Sequence, residues 1–114
     1  MKIKKIFIVF AVFFLVSALY HLAALFFHLN ASPLWRNLLF AEINLLVATF
    51  LLKRPRWFIY PFALLMLQQF YSHGTDLITL WNQQHKVDWM SLVVLLIMPV
   101  IFIFLLLDKL GKLK

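Results

Sequence analysis

WMSLVVLLIMPVIFIFLLL, residues Trp89 to Leu107, holds nineteen positions and no charge. A helix needs about 20 mostly apolar residues to cross a bilayer, and this stretch has that length and character. Spanning backbone must satisfy its own hydrogen bonds in lipid, which selects helix. Three stretches of similar kind precede it, at about 6–27, 33–52 and 57–80. None of them alternates polar and apolar residues, so barrel strands are not expected. The sequence therefore predicts an all-α fold, an integral membrane four-helix bundle made by one transmembrane domain over residues 1–114.

Composition agrees. Of 114 residues 65% are hydrophobic, thirteen of them Phe, against about 45–50% apolar in soluble domains. Cysteine is absent, which removes disulfides, thiolate catalysis and Cys-ligated metal clusters. The net charge of +7 falls mostly in three short clusters that bound the apolar runs. That distribution reads as membrane topology rather than as a nucleic-acid surface.

The ends of the runs carry helix signals. Ser32 and Pro33 make an N-cap and first-turn pair, Pro55 breaks the chain between the second and third runs, and Asp88 caps the fourth. Trp35, Trp57, Trp81 and Trp89 stand at run ends, where an interfacial aromatic belt belongs. The links Leu29–Ser32 and Lys53–Arg56 are short enough to force antiparallel neighbours. No internal repeat is visible.

Lys2, Lys4, Lys5, Lys53, Arg54, Arg56, Lys109, Lys112 and Lys114 flank one side, and Arg36 and Lys86 the other. That bias predicts an N-in/C-in topology, with both termini and the Lys53–Arg56 turn cytoplasmic. The first run also has the basic start and small-residue site, Val16-Ser17-Ala18, of a signal peptide. It continues to Phe27, which suits an anchor better. Asn30-Ala31-Ser32 matches a glycosylation sequon, but it lies against the membrane with Pro33 after it.

Five polar residues lie inside the apolar runs: His21, Glu42, Gln69, His73 and Asp76. A charge at the bilayer centre costs about 2.5–3.5 kcal/mol on insertion scales, so such groups face a partner, a cavity or a pathway. From the helical rise, His21 and His73 lie about 7 Å outward of their helix midpoints. Glu42 and Gln69 lie near the midplane, Asp76 farther out. Ser17, His21 and His28 form one stripe of the first helix, and Gln69, His73 and Asp76 one stripe of the third. On the second, Glu42, Leu45 and Thr49 share a face, with Ala41 and Ala48 beside them. The fourth offers only Ser91, Met98 and Pro99 and reads as a lipid-facing wall. His28, Asn30, Arg36, Asn37 and His85 read as solvated interface groups.

Four readings of this polar column stay open. It is an interhelical network that locks the bundle. It is a pocket for a small lipophilic molecule such as a quinone, with Glu42, His21, His73 and Tyr71 as its convergent polar groups. It is a proton or substrate pathway, although the column stops half way across. Or it is a metal or haem site with His21 and His73 as level ligands and Glu42 or Asp76 in support.

The layout resembles the DoxX-like small four-helix membrane proteins. The residues that carry the resemblance are Phe40-Ala41-Glu42-Ile43-Asn44-Leu45-Leu46, leading to Lys53-Arg54, and Tyr71-Ser72-His73-Gly74. The Gly-rich first helix of that family is replaced here by Ser17-Ala18. The resemblance implies an integral inner-membrane protein, in some members linked to quinone redox chemistry, and carries over Glu42 alone. The expectation is an accessory or small-ligand-binding membrane protein rather than a self-sufficient enzyme. The alternative is a proton-coupled carrier or a redox subunit with quinone, haem or metal. Expected partners are the lipid bilayer and another membrane subunit or a second copy, with no nucleic acid.

Overall fold

The structure, a computed structural model, describes residues 3–28 and 33–111, with side chains from Lys5 onward in the first helix. The Leu29–Ser32 link, the Ser32 cap and the Asn30 sequon lie outside the described residues.

Among the described residues there are four α-helices and no strand: α1 (Ile3–Phe27), α2 (Leu34–Lys53), α3 (Ile59–Gln84) and α4 (Trp89–Lys109). A 3-10 turn, Arg56–Phe58, leads into α3. Helices α1, α2 and α4 are long and apolar enough to cross a membrane. The chain divides into two compact units, Met1–Pro55 and Arg56–Lys114. Each is a helical hairpin: α1 packs on α2, and α3 packs on α4.

The first hairpin closes on small residues. Ala11, Ala18 and Ala24 of α1 are buried, as are Ala41 and Ala48 of α2. Small side chains let helix backbones approach closely where lipid offers no hydrophobic drive between them. Phe7, Phe10 and Phe14 fill the space toward the α1 start. The buried stripe of α2 is Asn37, Ala41, Asn44, Val47, Ala48 and Leu51. Asn44 is satisfied there by donating from Nδ2 to the Phe40 carbonyl at 2.7 Å.

The second hairpin buries Phe58, Ile59 and Phe62 from its first half and Ser91, Met98, Ile101 and Leu105 from α4. α4 is therefore not a featureless wall: its four buried positions recur at helical spacing and begin with a hydroxyl. The expected Asp88 cap is in place, Oδ1 accepting from the Ser91 backbone N–H at 3.2 Å.

Helix ends fall within a few residues of the expected ones. The main difference is α3, which continues past Leu80 to Gln84. Pro33 stands just outside α2, and its carbonyl accepts from the Arg36 and Asn37 backbone N–H groups. α1, α2 and α3 each end on a non-glycine residue in the left-handed region: His28 (φ 51°), Arg54 (φ 50°) and His85 (φ 51°). Each of those N–H groups still bonds the carbonyl four residues back.

Candidate functional site

In the first hairpin the half-buried His21 donates from Nδ1 to the Asn37 amide oxygen at 3.0 Å. A carbonyl oxygen only accepts, so the bond fixes the imidazole proton on Nδ1. The Phe40 ring stacks on the imidazole, with centroids 5.6 Å apart and planes at 27°. Tyr20 meets it edge-on at 5.4 Å, and the Arg36 guanidinium lies 5.6 Å from the Phe40 centroid. Asn37 is 2% exposed. It is the acceptor that sequence reading assigned to solvent. Its signal was legible as the stripe Asn37, Ala41, Asn44 and Ala48, which repeats at four and three residues.

In the second hairpin His73 Nδ1 lies 2.9 Å from Ser91 Oγ. Ser91, also 2% exposed, donates its hydroxyl to Asp88 Oδ2 at 2.8 Å. A hydroxyl has one proton. With that proton on the carboxylate, the imidazole is the donor to Ser91, and again the proton is on Nδ1. Asp, Ser and His are thus joined, but not in an order that activates a nucleophile. A catalytic triad places the imidazole between serine and carboxylate. Here the serine lies between, and it is buried.

The other end of each hairpin carries a cation on a ring. Arg54 Cζ lies 4.7 Å from the Phe7 centroid, and Arg54 Nη1 donates to the Leu51 and Leu52 carbonyls at 3.4 Å each. Lys109 Nζ lies 4.3 Å from the Tyr60 centroid and donates to its hydroxyl oxygen at 2.8 Å. Cations near helix C-termini also offset the helix dipole.

The remaining site candidates do not enter these contacts. Gln69 is half-buried and donates from Nε2 to Gln68 Oε1 at 2.6 Å. Tyr71 is 78% exposed, and Asp76 is exposed. Glu42, Leu45 and Thr49, the face expected to meet another helix, are all exposed. The reason is one residue of helical rotation. Ala41 and Asn44 give α1 a shallow surface to approach, which turns Glu42 outward. Among the described residues no three histidine or carboxylate side chains are grouped to hold a metal ion.

The contacts also refine depth. Asn37 lies six or seven residues from the α2 midpoint and Ser91 eight from that of α4, about 10 and 12 Å. His73 itself stands one or two residues from the α3 midpoint, about 2 Å, so the His73–Ser91 contact joins the middle of α3 to the start of α4. Glu42 stays within about 2 Å of the α2 midpoint.

No family model, curated protein or solved structure matches the chain.

Proposed function

We propose that the protein is an N-in/C-in, four-span accessory subunit of the cytoplasmic (inner) membrane, not an enzyme by itself. The observation that carries this reading is the use made of the two histidines. Each is engaged by a buried polar side chain of its own hairpin, as in a structural lock between helices. The length and apolar character of α1, α2 and α4 support membrane insertion.

α3 is richer in polar residues than the other three. It is nonetheless tied to both ends of α4, to Ser91 through His73 at its own middle and to Lys109 through Tyr60 at its start. If α4 crosses the bilayer, α3 crosses beside it. The resemblance to DoxX-like proteins and the placement of the basic residues support the same topology.

The absence of cysteine makes the test clean. Gln83→Cys and Gly111→Cys each give a single thiol for a membrane-impermeant maleimide. Gln83→Cys labels in intact cells, and Gly111→Cys labels only after permeabilisation. The reverse pattern overturns the topology. Release of the protein by alkaline carbonate overturns the integral membrane reading.

A further inference from the structure

The two hairpins carry the same contacts at matched positions. In each, a histidine of the first helix bonds through Nδ1 to a buried polar residue near the start of the second, His21 to Asn37 and His73 to Ser91. In each, a tryptophan stands two residues before that polar partner, Trp35 and Trp89. In each, a cation at the end of the second helix covers a ring near the start of the first, Arg54 on Phe7 and Lys109 on Tyr60. Four of the six buried positions of α2, Asn37, Asn44, Val47 and Leu51, recur at the same intervals in α4 as Ser91, Met98, Ile101 and Leu105, whereas Ala41 and Ala48 correspond to the half-buried Leu95 and Phe102.

From Trp35 to Leu51, α2 therefore runs in one register with Trp89 to Leu105 of α4. Glu42 stands five residues after Asn37, and Leu96 five after Ser91. Glu42 is exposed, and Leu96 is 64% exposed. The pair acts as an internal control. One hairpin is built with a leucine facing outward at this position, so the hairpin itself has no need of a carboxylate there. Around Glu42, Leu38, Leu39, Leu45 and Leu46 are exposed as well. A single carboxylate is held out at mid-helix on an apolar face.

We infer that Glu42 is the docking point for a transmembrane helix of a different protein, one that brings a lysine or arginine to the bilayer midplane. The inference rests on the membrane reading above and names the partner of that accessory subunit. Charge complementarity selects the occupant. A carboxylate in hydrocarbon is matched by a cation or gives up its charge. Among the described residues, a second copy of the chain offers no lysine or arginine at that depth. Lys5, Arg36, Lys53, Arg54, Arg56, Lys86 and Lys109, the described basic residues, lie within three residues of a helix end or between helices. Copies related by a two-fold axis along the membrane normal bring equal depths together, so Glu42 would meet Glu42.

The test uses the full chain, fluorescently labelled, in phosphatidylcholine vesicles. The probe is a synthetic leucine–alanine transmembrane helix with one central lysine, compared with the same helix carrying leucine there. Energy transfer should report binding about tenfold tighter to the lysine helix. Glu42→Leu should abolish the preference while leaving thermal stability unchanged, and Glu42→Gln should weaken it. Equal binding of the two helices, a preference that survives Glu42→Leu, or a fall in stability in that variant overturns the inference. So does self-association that depends on Glu42. Protein extracted by carbonate defeats the membrane reading itself. Protein that inserts without preferring the lysine helix defeats only the docking point.

Discussion

Ser91 Oγ accepts from the His73 imidazole N–H and donates its own hydroxyl to Asp88 Oδ2, so one buried hydroxyl joins α3 to the first turn of α4. The same Asp88 carboxylate caps α4 through the Ser91 backbone N–H. Tertiary contact and helix cap share one residue, and they should fail together.

Ser91→Ala removes the hydroxyl and leaves the His73 N–H and a carboxylate oxygen without it. The expected loss is about 1–3 kcal/mol, read as a lower midpoint in detergent unfolding. Asp88→Ala should cost about 1 kcal/mol through the cap. A double-mutant cycle of His73→Ala with Ser91→Ala should give a coupling of about 0.6–1.7 kcal/mol. Additive effects would show that the two side chains act independently.

The first hairpin allows a sharper comparison. Asn37→Leu keeps the volume but strands the His21 N–H, at a cost of about 1–3 kcal/mol. His21→Phe with Asn37→Leu replaces both partners by apolar groups, which can be nearly neutral, and Phe40 can stack on either ring. The double variant should therefore melt close to wild type, and the single variant below it. If cells carrying the stable double variant lose a phenotype, His21 has a task besides holding the hairpin.

Two of the three left-handed helix ends, Arg54 and His85, should respond to glycine in opposite directions. Glycine relieves about 1–2 kcal/mol of backbone cost at such a position and gives back part of it as chain entropy. At His85 the side chain adds only an edge contact with Trp81 at 5.6 Å, so His85→Gly should stabilise by about 0.5 kcal/mol. At Arg54 the guanidinium covers Phe7 and bonds two carbonyls. Arg54→Gly should destabilise, because a cation on a ring is worth about 0.5–2 kcal/mol and the carbonyl bonds go with it. Thermal melts of both variants against wild type give the two signs.

Arg54→Lys isolates the shape of that cation. Lysine keeps the charge, but it lacks the planar fork that stacks on a ring and bonds carbonyls at once. Its melting temperature should fall between those of wild type and Arg54→Gly. Lysine keeps the backbone cost that glycine relieves, so the charge alone contributes nothing only if Arg54→Lys is less stable than Arg54→Gly by that cost, about 0.5 kcal/mol.

Much of the local structure was legible before any contact was known. Apolar length gave four helices, and the α2 and α4 limits lie within two residues of those expected. Asp88 was readable as a cap because a carboxylate before an apolar run has few other uses. α3 was legible as a helix but not to its end, because Trp81-Asn82-Gln83-Gln84 looks like a loop when only hydropathy is read.

The site was less legible. A helical stripe has a period but no partner. Both Glu42-Leu45-Thr49 and Asn37-Ala41-Asn44-Ala48 satisfy that period on α2, and the first contains the more arresting residue. Close approach to α1 favours the stripe with the smaller side chains. Asn44 can be buried in it because its amide bonds its own helix backbone.

The sequence by itself determined the helices, the Asp88 cap and the arrangement of charge at the helix ends, because these depend on local chemistry and on the length of an apolar run. The tertiary structure alone decided which polar residues face one another. It gave His21 to Asn37 and His73 to Ser91, and it left Glu42 outside. Those outcomes depend on which face of each helix meets its neighbour. A rotation of one residue, about 100°, changes that face without changing the hydropathy of the segment.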